Sequence, residues 1–369
     1  MLVEVREYEG DVPNEIWNLI GARLPPDHRF LSYHWLPAWS KTQLPSERWR
    51  GTIRYYVALA PSGEPLGVVP LAHQRFGPIL LPALAGYYFP FRGLLFAQER
   101  EAEIARAIVA ALRSSEPLAF RLGPARRGHA SVQAMIEAMR VDGWTVLTKQ
   151  RGVEFAVDLP DSVDAFRSEY MSTKLRRSIE RNHRRMQEQG IRLERYTDLT
   201  AERWQAVVAD MATVERSSWV GRNNGFLHFG RPANASFWRE CLAMPQMSAA
   251  THALVLYFDE RPTAFEFWFD SGSCRYFIAG LHDDRAAQHS PGSLLMQLML
   301  EDAIESGIAR VSCGQGDAGY KSRFGAKPAG FIDEWVAMPP GVLGHGAKAV
   351  WNTAQMFAEW RHKRRASET

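Results

Sequence analysis

Three stretches of this 369-residue chain carry side chains suited to acid–base or anion chemistry. The first is Gly314-Gln-Gly-Asp-Ala-Gly-Tyr-Lys-Ser-Arg-Phe-Gly325, where Asp317, Tyr320, Lys321 and Arg323 crowd between glycines. The second is Phe265-Glu-Phe-Trp-Phe269, with Glu266 as a carboxylate in an aromatic run. In a strand, Glu266 faces away from Phe265 and Phe267 and shares a side with Trp268 and Asp270. If that side is a cleft, desolvation raises its pKa to suit a general base; on the solvent side of an edge strand it does nothing special. The third stretch is basic, from Ser172 to Gly190. Lys174, Arg177, Arg181 and Arg184 share one face of a helix. That face is either a solvated surface paired with local acids or a wall for phosphates, whether of a nucleotide, coenzyme A or RNA.

The elements around the first stretch form one unit. Cys274 to Leu281 reads as a strand, His282 to Gly292 as a polar loop, and Ser293 to Ser306 as a helix ended by Gly307. Ile308 to Cys313 is a second strand. A helix N-terminus offers unpaired N–H groups and partial positive charge. After a loop holding Ser290, Pro291, Gly292 and Ser293, it can hold a phosphate or pyrophosphate. The same residues are also ordinary capping chemistry, and both readings stand.

The order of these elements resembles the second half of a GNAT-superfamily acyltransferase domain. More narrowly, Ser290, Pro291, Gly292, Asp317, Tyr320 and Lys321 match a pattern in GNAT-like acetyltransferases associated with bacterial cellulose biosynthesis. Those share a fold with Fem-type aminoacyltransferases. The acyl-CoA loop of simpler GNAT enzymes is only approximated, by Gln288 to Gly292. The resemblance implies an α/β fold of two tandem GNAT-like domains, with mixed, mostly antiparallel sheets flanked by helices. It implies boundaries at 1–160, 161–340 and 341–369. The donor, acetyl-CoA or another acyl-CoA, would lie in the second domain, at Gln288, Ser290, Gly292 and Ser293, with Arg177 and Arg181 on its phosphates. The first domain has no Ser-Pro-Gly loop: Phe96-Ala-Gln-Glu-Arg precedes its helix.

By the same resemblance, Tyr320 would protonate the departing thiolate, with Asp317 and Lys321 pairing or orienting substrate. A base must take a proton from the acceptor amine or hydroxyl. Glu266 is one candidate. Glu215 is another, because a Glu followed closely by a Trp, here Trp219, also occurs in the resembling family. The acceptor would be a small molecule such as a sugar or envelope precursor. Two rivals are an aminoacyl-tRNA-dependent transferase of Fem type, whose RNA the basic helix would serve, and a non-catalytic binding protein on the same fold.

Composition sets limits. Hydrophobic residues at 46% and a net charge of +3 fit an ordinary globular chain. Cys241, Cys274 and Cys313 lack metal-ligand spacing and fit a reducing cytoplasm. No metal site, nucleotide P-loop or nucleophile elbow is visible. The first residues lack the apolar core of a signal peptide, and Pro78, Pro82 and Pro90 interrupt the most apolar region.

Elsewhere, strands are expected at 53–60, 65–73, 118–123, 144–148, 153–159, 252–258 and 263–270. Helices are expected at 13–20, 101–112, 130–142, 161–189 and 199–217. An amphipathic helix is expected at 347–365, with Val350, Trp351, Ala354 and Phe357 on one stripe and a basic end. It would pack on the body of the protein or touch an anionic membrane surface.

Overall fold

A computed structural model of the chain describes residues 3–341, apart from 33–34, 45, 47, 77–78, 88–89, 224–226 and 318. The helix expected at 347–365 lies outside the described residues.

In chain order the elements are β1 (Glu4–Glu9), α1 (Asn14–Arg23), α2 (Trp35–Thr42), β2 (Trp49–Leu59), β3 (Pro65–Phe76), β4 (Ile79–Leu84), β5 (Leu95–Phe96), α3 (Glu101–Ser114), β6 (Phe120–Arg126), α4 (Ala130–Val141) and β7 (Thr145–Asp158). There follow α5 (Val163–Ala165), α6 (Thr173–Glu188), β8 (Arg192–Tyr196), α7 (Ala201–Ser217), α8 (Trp219–Asn223), α9 (Pro232–Leu242), α10 (Pro245–Ala250), β9 (Thr251–Phe258), β10 (Arg261–Ser271), β11 (Cys274–His282), α11 (Pro291–Glu305), β12 (Arg310–Gln315) and β13 (Lys327–Met338). This is the mixed α/β, mostly antiparallel architecture that the sequence leads one to expect. None of the described helices is long and apolar enough to cross a membrane.

Two compact units are present, and they are not consecutive in sequence. Unit 1 comprises Met1–Val12, Glu47–Arg151 and Ile332–Thr369; unit 2 comprises Pro13–Ser46 and Gly152–Phe331. The boundary expected at 160 therefore fails to capture the N-terminal segment, which packs within unit 2. Trp35 meets Phe237 edge-on at 4.9 Å, and Asp27 Oδ1 accepts from the Ser273 amide at 2.9 Å.

Each unit contains a parallel strand pair with a helix between its members. In unit 1 the order is β1-β2-β3-β4-β6-β13, with β4 and β6 parallel and paired at Ala83 and Arg121. Its core joins α3 and α4 to the sheet through Ile104, Ile108, Leu112, Met135 and Met139. In unit 2 the order is β7-β12-β11-β10-β9-β8, with β11 and β12 parallel and the other described pairs antiparallel. Its core is built on α11, where Leu295, Met296, Met299 and Leu300 are buried against Leu254, Leu256 and Trp268.

One expected helix divides. The stretch 161–189 is α5, a π-turn at Phe166–Tyr170, and α6. Met171 is extended (φ −109°, ψ 126°), and Ser172 caps α6 by accepting from the Leu175 amide at 3.2 Å. A strong capping side chain there outcompetes helix continuation. The helix at Trp35–Thr42 forms despite Pro37, which sits in its first turn, where no backbone donor is needed.

Candidate active site

The parallel strands β11 and β12 are hydrogen-bonded only from Cys274–Tyr276 to Arg310–Ser312. Beyond that, β11 continues to His282 and β12 to Gln315 without a ladder between them. The register of β12 against β7 also slips between Ser312 and Gln315. Gly314 and Gly316 both take left-handed φ values, 70° and 72°, which lets β12 turn away at low steric cost. The result is a split in the sheet at the C-terminal ends of two parallel strands.

Lys321 occupies one side of this split. Its ammonium donates to the carbonyls of Cys313 and Gly316, each at 2.6 Å, and to that of Gln315 at 3.3 Å. Three carbonyls match the three donors of a lysine. The side chain is buried, and desolvation lowers its pKa while Cys313, Asp317 and Glu266 oppose that shift.

Glu266 stands on β10, the next strand. It pairs with Gly280 of β11 on one side and Leu254 of β9 on the other. β10 is thus central, and Glu266 is only 2% exposed. It lies on the α11 face of the sheet with Ala264 and Trp268, while Phe267 packs on Trp204 and Trp238 of the opposite face. Its Oε2 is buried without a hydrogen-bond partner. Burial pushes its pKa well above the carboxylate range, and the Lys321 charge pulls it back only in part.

Tyr320, Asp317 and Cys313 complete the cluster. Tyr320 is half-buried, its ring centroid 6.0 Å from Lys321 Nζ. Burial, and then the Glu266 charge, push its phenol well above its ordinary pKa. Burial pushes the Cys313 thiol up to about 12, with Lys321 opposing and Glu266 reinforcing. Burial also pushes Asp317 up, but hydrogen bonds from Ser322 and the backbone outweigh it and hold the carboxyl below its ordinary range. The structure thus brings Glu266, Asp317, Tyr320 and Lys321 into one electrostatically coupled group.

The loop leading into α11 is fixed by Asp283. Its carboxylate accepts from the Arg285 amide at 3.0 Å and pairs with Arg285 at 2.8 Å and Arg261 at 3.3 Å. Ser290 then takes a left-handed conformation (φ 50°, ψ 48°) and makes no side-chain cap. No acid stands in the first turn of α11. Its own first turn therefore supplies no carboxylate to compete with a bound anion for the helix dipole. A β-carbon on Gly292 would come 3.4 Å from His282 Nδ1, so that imidazole stands beside the helix entrance. Ser293 is partly exposed, its amide turned back to the Ser290 carbonyl at 3.0 Å. Gln288 is exposed, with its amide 3.2 Å from His289 Nε2.

Arg177 and Arg181 are exposed on α6, which packs against α11 and the 284–289 turn. The helix N-cap and its buried stripe of Leu175, Ile179 and Met186 leave Lys174, Arg177, Arg181 and Arg184 on the outside. Trp219 is 50% exposed at the start of α8, and α8 is tied to the 284–289 turn by an ion pair between Arg222 and Asp284.

Glu215 is a correction. It is buried away from this cluster's hydrogen bonds, and its carboxylate accepts the amides of His228, Phe229 and Gly230. A carboxylate whose oxygens are taken up by three backbone N–H donors holds a loop in place. Gly280 is the residue that sequence reasoning does not single out. A lone glycine inside a strand pattern is the available signal, since it marks a close approach.

Among solved structures, the chain is similar to FemX, at 12% identity, TM-score 0.57, and coverage of 89% of this chain and 96% of that one. L-PGS from Bacillus licheniformis is similar at 12% identity and TM-score 0.52, covering 94% and 97%. A tandem GNAT protein from the clavulanic acid biosynthesis pathway is similar at 13% identity and TM-score 0.50, covering 92% and 99%. No curated protein matches the sequence. Residues 173–322 match the family model described as an acetyltransferase (GNAT) domain, and the fold that holds them is GNAT-like.

Proposed function

We propose that unit 2 is an acyltransferase. It would move an acyl group, acetyl in the simplest case, from acyl-CoA to the amine or hydroxyl of a small acceptor. The observation that carries this reading is Glu266: a buried carboxylate with an unpartnered oxygen, raised pKa and a lysine nearby, next to a split between parallel strands. Structural carboxylates are normally satisfied, as Glu215 is, so an unsatisfied one suits a role with substrate.

The residues fit the donor. An uncapped α11 N-terminus free of acids suits a pyrophosphate, with Gly292 open to close approach and exposed Arg177 and Arg181 on the neighbouring helix for further phosphate. The split between β11 and β12 is the natural slot for the thioester. Glu266 takes a proton from the acceptor as its nitrogen or oxygen bonds to the thioester carbon, and the C–S bond breaks. Gaining that proton neutralises Glu266. The charge that raised the Tyr320 pKa is then gone, so the phenol becomes a better acid as the thiolate leaves. Lys321 holds the β12 carbonyls in place and keeps positive charge beside the site. The cellulose-associated resemblance favours a sugar or envelope-precursor acceptor in the cytoplasm.

A second reading, aminoacyl transfer from aminoacyl-tRNA, draws support from the exposed basic face of α6 and from the likeness to FemX. Release of thiol from acetyl-CoA, compared between the unaltered protein and Glu266→Gln, tests the first reading directly.

A further inference from the structure

Unit 1 holds a cavity that none of this chemistry uses. It has a volume of about 230 Å³ and lies where the end of α3 meets β2, β3 and β4. Leu71, Leu112 and Phe120 form its buried floor, and Leu80, Pro82 and Leu118 its mouth. Leu80 is 47% exposed and Leu118 58%, with Ile79 at 42% beside them. Large apolar side chains held open around a concavity are the ordinary mark of a ligand site.

One charged side chain gives the cavity a sign, and a histidine shares the lining with it. Arg54 and His73 line it, and among the described residues no carboxylate does. The Arg54 partner is Glu7 at 3.3 Å, with both side chains about half exposed. Such a surface pair contributes little and yields readily to a better-placed anion. Burial, and then the Arg54 charge, hold His73 below its ordinary pKa, so it meets a ligand as a neutral imidazole able to donate one hydrogen bond. Glu116 sits in the chain between two lining residues but does not itself line the space.

We propose that this cavity in unit 1 binds a small amphipathic carboxylate, its apolar body on Leu71, Leu112 and Phe120 and its carboxylate at Arg54 and His73. A cationic head would meet Arg54 and be repelled. A neutral alkyl chain would forgo the charge-assisted hydrogen bond. The size admits a short acyl chain or a single ring, since pockets for drug-sized ligands begin at about 300 Å³. The proposal uses only unit 1 residues and stands whether or not unit 2 transfers acyl groups.

Isothermal titration with octanoate, octanol and octylamine, in the absence of coenzyme A, tests it. Octanoate should bind saturably, with octanol at least tenfold weaker and octylamine not binding. Arg54→Ala and Leu118→Asp each alter an exposed side chain and should each weaken octanoate at least tenfold without lowering the melting temperature. Gly292→Asp, in unit 2, should leave octanoate binding as it was. The proposal is overturned if no octanoate binds or if octylamine binds as well. It is equally overturned if both unit 1 variants bind normally, or if Gly292→Asp is the change that abolishes binding.

Discussion

Glu266 of β10 and Gly280 of β11 are cross-strand partners, and a β-carbon on Gly280 would stand 3.0 Å from Glu266 Oε1. The same atom would lie 2.8 Å from Phe277 Cζ. Gly280 therefore leaves room for the Glu266 carboxylate. Gly280→Val should displace the carboxylate and overpack the site, a change that costs about 1–3 kcal/mol of stability. Thioester turnover should fall at least tenfold, with Gly280→Ala intermediate. Full activity in a folded Gly280→Val protein would show that the seat of Glu266 is unimportant.

Glu266 also makes stability depend on pH. Its folded-state pKa is raised by burial above the unfolded value. Such a group contributes stability that is complete below the unfolded pKa and is lost as pH rises through the folded one. Lys321 is depressed in the fold, so its contribution runs the other way, lost as pH falls through its folded pKa. Glu266→Gln cannot ionise. Its advantage over the unaltered protein should be absent at about pH 4, near the ordinary carboxylate pKa, and grow as pH rises above that. Denaturant melts at a series of pH values measure the gap. A gap that does not change with pH would mean that Glu266 titrates normally.

Glu215 should behave as a structural residue. Glu215→Ala strands the amides of His228, Phe229 and Gly230, and should cost at least about 3 kcal/mol, given roughly 1–3 kcal/mol for each buried donor left unmade. Thermal melts would show the loss. The pH profile of turnover in the surviving folded fraction should be unchanged; a lost acidic limb would return Glu215 to the chemistry.

The α6 face separates the two donors. Arg177→Glu with Arg181→Glu reverses two exposed charges and should weaken acyl-CoA at least tenfold, with a flatter salt dependence. If tRNA binding collapses while acyl-CoA binding holds, the aminoacyl reading takes precedence. Fluorescence titrations with both ligands decide between them.

Much of this site was legible in the chain because local rules carry it. The strand at Cys274, the polar loop, the helix after Pro291 and Gly307 beyond it follow from periodicity, turn chemistry and capping, and their bounds shift by only a few residues. The alternation of Phe265, Glu266 and Phe267 gave the two faces of β10. What it could not give is which of those faces α11 covers, since that is set by tertiary packing and leaves no local pattern. Glu215 misled for the same reason. Its three amide partners lie 13 to 15 residues on, in a loop with no periodic pattern. The interleaved units were equally hidden, because Trp35 joins Phe237 through edge-on aromatic packing that leaves no mark at either position alone.

The central claim is that Glu266 is the base of an acyl transfer in unit 2. The most direct test is release of free thiol from acetyl-CoA, followed across pH with and without an amine acceptor, in the unaltered protein and in Glu266→Gln. The unaltered protein should release thiol faster with acceptor, with a rate that rises through the elevated Glu266 pKa. Glu266→Gln should bind acetyl-CoA normally yet turn over roughly 10²–10⁴-fold more slowly, with that rise gone, as loss of general base catalysis predicts. Equal rates and equal pH profiles in the two proteins would contradict the account.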